Sequence, residues 1–478
     1  MFVTILTLGW EEILLTLNYR NNKECDMRYI EEKAKQIPVL EEVDVLVAGG
    51  GPAGIAAAVG AARAGAKTML IERYGCFGGV ISQVGVEGFA WYRHEGTVEA
   101  GGVAFEFEEE ALRMGGATQE CQSTSQALDA EMFKCVADKI ITESGVIPLL
   151  HTFASEAIVE DGAIKGVIVE SKSGRQAIIA KRVIDCTGDG DVAALAGAPF
   201  TKREHLSCVT PLFNCRGVDK EKFLDYIENE LKPTYADWRG EWEMETNGKE
   251  DNMFSPYLVA PFRKAIEDGV LVKEDHIDYG GSYSTVSDEG EVLQLNAVFI
   301  SGVDQTDVVS LTKAEIDGRK ACLKAIDALR QYVPGFENAR LRNFGMTMGT
   351  REARQIDGLY KMTKKDVQGE ARFEDSIGIF PEFIDGNGIL WLPTTGRYYQ
   401  IPLRALVPKK IDNLLVAGRA ISGDIDAHAS FRNMSCCVVT GQGAGVAAAV
   451  SVKENVNVKD VNMKNVQKAL EEQNVRVF

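Results

Sequence analysis

The chain has 478 residues, 45% apolar, 26% charged and 8% aromatic, which excludes disordered, collagen-like and disulfide-scaffold classes. That length exceeds what one hydrophobic core organises and predicts two domains. A formal charge of −18, from 70 acidic against 52 basic residues, argues against nucleic acid or a membrane surface as partners.

Residues 1–17, MFVTILTLGWEEILLTL, are apolar but broken by Glu11 and Glu12. They lack a basic leader region and a small-residue cleavage site, which speaks against a signal peptide. The stretch is also too short and too acidic to span a bilayer. Met27 opens a more polar segment and is the expected start, with residues 1–26 an annotation artefact. No other window reads as apolar enough to cross a membrane. Ten cysteines are dispersed along the chain without C-x-x-C or zinc spacing, which predicts reduced thiols and a cytoplasmic setting. The adjacent Cys436 and Cys437 read as a buried helix pair.

The most informative segment is VDVLVAGGGPAGIAAAVGAARAGAKTMLIER, residues 43–73. Val43 to Ala48 is a continuous apolar run, as expected of a strand buried on both faces of a parallel sheet. Gly49, Gly51 and Gly54 then occupy the three places of G-x-G-x-x-G. The first permits a tight turn, the second a close approach to pyrophosphate, and the third close helix–strand packing. Residues 52–64 are alanine-rich and predict a helix whose N-terminus faces phosphate. A second strand, Thr68 to Ile71, ends at Glu72, placed to accept ribose hydroxyls and to repel the 2′-phosphate of NADP. The unit predicts a dinucleotide site, with FAD and NAD both compatible at this point.

After Glu72 comes Arg73-Tyr74-Gly75-Cys76-Phe77-Gly78-Gly79-Val80, and later VIDCTGDGDVAALAGAPF (183–200), NLLVAGRAISGDIDAHASFRNM (413–434) and GQGAGVAAA (441–449). With LDAEMFKCVADKIITESGV (128–146) and LLHT (149–152), these blocks resemble the FAD-dependent oxidoreductases of the glutathione-reductase-like superfamily. More narrowly, they resemble the bacterial group of that name whose substrates are mostly unassigned. The resemblance covers about residues 36–470 and implies an α/β fold: a Rossmann-like FAD-binding domain with an inserted α+β substrate domain. On that reading residues 1–39 are an extension, and 40–200 with 401–455 form a discontinuous FAD-binding domain. Residues 201–400 form the substrate or cap domain, and 456–478 a polar helical tail.

The resemblance implies FAD contacts at Gly49, Gly51, Pro52, Ala53, Gly54, Glu72, Arg73, Gly78, Gly79, Ala154, Thr187, Gly188, Gly418, Arg419 and Gly441. Arg419 stands where the wider superfamily commonly has Asp. Gly188, Gly190 and Ala193 imitate a second nucleotide motif, but no second βαβ unit with an acidic strand end follows. A single FAD site is therefore expected.

Residues 201–400 are irregular, with one clear helix from Thr312 to Tyr332 closed by Pro334-Gly335. Flavin supplies the redox chemistry, so the protein must orient substrate and handle a proton. Of the histidines at 94, 151, 205, 276 and 428, His428 lies nearest the implied flavin. His151 reads as structural. Arginines are dense between 340 and 432 and suit an anionic substrate through bidentate pairing, the alternative being surface ion pairs. Gly349-Thr350-Arg351-Glu352-Ala353-Arg354 resembles a family motif. Arg351, His428 and Arg432 are the candidate catalytic residues, and Tyr399 is placed to face the flavin. Cys76 has no C-x-x-x-x-C partner, so a disulfide-reductase reading fails, and no iron–sulfur cysteine set is present. Nothing in the sequence requires covalent flavin.

The expected function is hydride transfer between FAD and a small organic substrate, carboxylates being one candidate class. The alternatives are an ene-type reductase fed by an external electron donor, or a non-catalytic FAD electron-transfer subunit. An external electron donor or acceptor and self-association remain open as partners.

Overall fold

The computed structural model of the protein describes residues 29–89, 92–203, 207–239 and 250–478. The expected start at Met27, the 1–26 extension and His205 lie outside the described residues. From Val39 onward the chain enters a βαβ unit: β1 (Val39–Ala48), α1 (Pro52–Arg63) and β2 (Thr68–Ile71). Helices α2 (Val103–Arg113) and α3 (Met132–Glu143) follow, then β3 (Ile147–Leu149). An antiparallel meander of β4 (Phe153–Glu160), β5 (Ala163–Ser171) and β6 (Gly174–Asp185) leads to the short α4 (Asp191–Leu195).

Beyond α4 the chain builds a second sheet from β7 (Phe213–Arg216), β8 (Ile277–Ser282), β9 (Val292–Ile300) and β10 (Arg340–Phe344). These strands run antiparallel in the order β8–β9–β7–β10, with the short Thr285–Val286 beside β9. Helices α5 (Val259–Glu267) and α6 (Val308–Tyr332) belong to this half. Helix α6 begins four residues before the expected Thr312, because Asp307 caps it by accepting from the Ser310 amide at 2.7 Å. The chain then returns to the first sheet through β11 (Leu414–Val416). It finishes with α7 (Ile425–Phe431), α8 (Met434–Glu454) and α9 (Met463–Glu471).

The first sheet has seven strands in the order β3–β2–β1–β6–β5–β4, with β11 also against β6. Strands β2, β1, β6 and β11 are parallel. Their registers pair Ala48 with Ile71 and Asp185, and Asp185 with Val416, so all four carboxyl ends finish level. In a doubly wound α/β sheet that edge is where ligands bind. This is the α/β FAD-binding architecture expected from the sequence. One core lies around α1 and α8 on one face of the sheet, and a second on the opposite face. A separate core joins Val209 to Met348. Buried residues between Met362 and Val407 pack into the core around α1.

Helices α1 and α8 touch backbone to backbone. A β-carbon at Gly441 would lie 2.1 Å from the Ala53 carbonyl oxygen, and one at Gly445 would lie 2.0 Å from that of Ala57. Contact this close tolerates only glycine, which outweighs the cost of glycine inside a helix, about 0.5–1 kcal/mol. Against expectation, one described helix, α8, has the length and composition of a membrane span. Its apolar window is 94% buried inside the protein, so packing against α1 and the sheet accounts for its hydrophobicity. Cys436 and Cys437 sit buried in its first turn, as expected of a helix pair.

Replacing Gly445 by Val would drive a branched side chain into the Ala57 carbonyl. The expected loss of stability is roughly 3 kcal/mol, read from the urea unfolding midpoint against the unchanged protein.

Candidate functional site

A cleft of about 720 Å³ opens at the level carboxyl ends of β2, β1, β6 and β11. Its lining includes Gly49, Gly51, Pro52, Ala53, Glu72, Arg73, Gly79, Ala154, Thr187, Gly188, Gly418, Arg419 and Arg432. Most of the expected FAD contacts therefore converge on one cavity. Gly188 faces the same cleft as the first glycine motif, which agrees with a single nucleotide site. Three expected residues do not line it. Gly54 is a packing position, where a β-carbon would meet the Gly49 carbonyl at 1.7 Å. Gly441 packs on α1, and Gly78 holds the glycine pair in place by donating its N–H to Gly50 O at 2.8 Å.

The geometry fits a dinucleotide. Helix α1 starts at Gly51 with Pro52 in its first turn and no side-chain cap. Its first amide donors are left for an anion, reinforced by the helix dipole. A β-carbon at Gly79 would come within 2.6 Å of Gly51 Cα, so two bare backbones wall the cavity here. Glu72 is buried, accepting from Gly50 N at 2.7 Å and Tyr74 N at 2.9 Å. A carboxylate has further lone pairs for ribose hydroxyls.

Asp185, which sequence reasoning passed over, organises the opposite wall. Its Oδ1 accepts from Thr187 N at 3.0 Å and Thr187 Oγ1 at 2.7 Å, and its Oδ2 caps α4 through Ala193 N at 2.8 Å. The N-cap of α4 is Gly190, which has no side chain for this task. Asp185 thereby holds Asp189 and Asp191 in place for two arginines. Arg419 donates to Asp189 at 2.6 Å and Thr350 Oγ1 at 2.8 Å, while Arg354 pairs with Asp191 at 2.8 Å. Burial opposes the Arg419 charge, but the groups facing it, Asp189 first and Asp191 among them, together raise the guanidinium pKa. The local signal for Asp185 was an acid two residues before a Thr-Gly turn.

The three candidate catalytic residues occupy one region. Arg432 lines the cleft and donates to the Asp385 carbonyl at 2.5 Å, with the Asp385 carboxylate at 3.5 Å. Arg351 does not line the main cleft. Its guanidinium lies in electrostatic range of Arg432 and donates to Cys208 O at 2.9 Å and Thr210 Oγ1 at 2.7 Å. His428 is buried, with Nδ1 3.9 Å from Glu352 and Nε2 without a hydrogen-bond partner. Burial, then Arg432, Arg203 and Arg419, push its pKa well below the usual range, so it is neutral. Glu352 is engaged by Arg203 and by Ser207 N at 2.6 Å.

Elsewhere the bland readings hold. Tyr399 is fully buried and bonded to Ser430 Oγ at 2.9 Å, a correction to its expected place at the flavin: its strand turns it into the core. Arg372, Arg397 and Arg404 are in ion pairs away from the cleft. His151, in a left-handed backbone conformation, packs under Gly75.

A family model described as FAD-dependent oxidoreductase matches residues 44–470. The chain belongs to that family. FAD is its cofactor, in agreement with the cleft. The chain is similar to digeranylgeranylglycerophospholipid reductase 1 of Methanopyrus kandleri, 27% identical over 205 residues, 41% of this chain and 54% of that protein. It is also similar to thiamine thiazole synthase of Metallosphaera sedula, 29% identical over 165 residues, 32% of this chain and 57% of that protein. The chain thus spans little more than half the length of these relatives. A geranylgeranyl bacteriochlorophyll reductase-like structure from Thermoplasma acidophilum aligns at TM-score 0.47 and 15% identity, covering 90% of this chain and 83% of the other.

Glu72→Ala removes the carboxylate from the ribose position. We expect protein that purifies with less flavin per chain, measured by the 450 nm to 280 nm absorbance ratio; full occupancy would end the assignment. Burial pushes the Asp185 carboxyl up to about 6 from an ordinary 3.8. A raised folded-state value means proton uptake on folding, so stability from this group is present at low pH and lost as pH rises through about 6. Urea unfolding of the wild type and Asp185→Asn at pH 7, 6 and 5 should therefore show the difference moving in favour of the wild type as pH falls.

Proposed function

We propose that this family member transfers a hydride between FAD and a small organic carboxylate. The observation that carries this reading is the charge on Arg351. Arg203, Arg354, Arg419 and Arg432 each have a carboxylate partner, whereas Arg351 has only neutral acceptors among the described residues. A partly buried guanidinium without a counter-ion is a place for an anion, and Arg432 extends that place to the cleft.

When bound, FAD supplies a two-electron acceptor or donor. The chain's own groups do the rest. Arg351 and Arg432 hold the carboxylate and so fix which carbon approaches the flavin. His428, neutral across the working pH range, offers Nε2 as an uncharged hydrogen-bonding group beside the clamp. Glu352, held by Arg203 and Ser207, lies on the Nδ1 side of that ring and positions it.

Arg351→Ala and Arg432→Ala should each retain FAD and lower kcat/KM by about 100-fold. The assay is anaerobic bleaching of the 450 nm band across a panel of organic acids, alcohols and amines. Unchanged kinetics in both variants would remove the clamp. Bands that resist every compound, yet recover after dithionite reduction when an unsaturated acid is added, would assign the reductive direction.

A further inference from the structure

One polar side chain in the cleft comes from the second half of the molecule and bonds nothing among the described residues. Gln305, two residues before the cap of α6, lines the cleft and is only 4% exposed. Both its side-chain oxygen and its side-chain nitrogen lack a hydrogen-bond partner. Buried amides are ordinarily paired, because burial takes away the hydrogen bonds that water would supply. This one is paired only if a ligand in the cleft does it.

Neighbouring bonds fix where Gln305 stands. Asp304 and Thr306, on either side of it, both accept from Lys202 Nζ, Thr306 at 2.7 Å. Lys202 ends a short strand, Phe200–Lys202, that pairs with Arg354–Ile356 and sets Lys202 opposite Arg354. Arg354 in turn holds Asp191 at the start of α4. Helix α4 shares a core with Ala154 near the start of β4, and Thr152 donates its N–H to Glu72 O at 2.9 Å. Gln305 is thereby fastened to the wall that α4 makes beside Ala154 and Glu72.

Glu72 is placed for the ribose, so the base on that ribose comes to the same part of the cleft. Adenine has two apolar faces and an edge where the N6 amino donor stands beside ring nitrogens that accept. A glutamine amide carries an acceptor beside a donor and matches that edge bidentately. Leu195, 44% exposed, and Leu311 line the cleft as well and suit the faces of the ring. We propose that Gln305 reads the adenine of FAD, accepting from N6–H through Oε1 and donating to the neighbouring ring nitrogen through Nε2. The pyrimidine edge of the flavin also sets a donor beside an acceptor, but it lies across the pyrophosphate from the ribose at Glu72. FAD is then gripped by both halves of the molecule at once. The carboxylate reading plays no part here, since only the cofactor is involved.

The test compares FAD with 1,N6-etheno-FAD, whose added ring ties N6 to N1 and removes the N6–H donor. Apoprotein is titrated with each, and quenching of tryptophan fluorescence gives Kd. Wild type should prefer FAD by about 10-fold. Gln305→Met, similar in length and taking no hydrogen bond from the chain, should weaken FAD about 10-fold and hold the two cofactors within about twofold. Gln305→Ala repeats the comparison with no long side chain to accommodate. Both apoproteins should melt at the wild-type temperature and both FAD-loaded forms below it, since the lost contact exists only with cofactor bound. Equal affinity of the wild type for the two cofactors would overturn the inference. A preference for FAD that survives in both variants would overturn it too, and a shifted flavin band there would move the amide to the isoalloxazine. Apoproteins destabilised as much as the loaded forms would make Gln305 a structural residue and sink the proposal.

Discussion

Backbone meeting backbone, with no side chain between, is the constraint on which the structure depends. Gly54 lies against Gly49, Gly441 against Ala53 and Gly445 against Ala57, each closer than any β-carbon permits. Those contacts seat α1 and α8 on the sheet at a fixed height. They bring the N-terminus of α1 level with the ends of β1 and β6, where the cleft opens. A wider spacing would fill the helix interface with side chains and lift the phosphate-facing amides away from the sheet edge.

On that frame the cleft is organised by charge pairs rather than by apolar contact. Asp185 is enclosed by three donors, and through α4 it sets Asp189 and Asp191 against Arg419 and Arg354. Each pair is costly to bury singly and favourable only when complete. Arg351, by contrast, has only neutral acceptors among the described residues, as buried Arg182 does away from the cleft. In an acidic protein an arginine without a carboxylate partner is an attractive point for anions.

The cofactor half was legible because its requirements are local. A strand, a glycine turn, a helix and a strand-end acid lie within residues 43–73, and each follows from backbone sterics or dipole direction. Even there, Gly78 and Gly441 do not line the cleft and serve turn geometry and helix packing, while Gly54 has the helix–strand packing that its motif place predicts. The apolar composition of α8 suggested no membrane span in the sequence reading, yet taken alone it has the makings of one. Only its burial shows what it packs against.

The sequence by itself determined the α/β class, the dinucleotide unit, the family and the concentration of arginines near its C-terminal third. Those properties are encoded by spacing along a few dozen residues, and spacing survives in one dimension. Tertiary structure alone decided that Arg351 meets only neutral acceptors among the described residues, that burial and the guanidinium groups of Arg432, Arg203 and Arg419 push the His428 pKa down, and that Asp385 faces Arg432. Those residues are brought together from positions 203 to 432. Charge compensation and desolvation depend on neighbours in space, which no local pattern records.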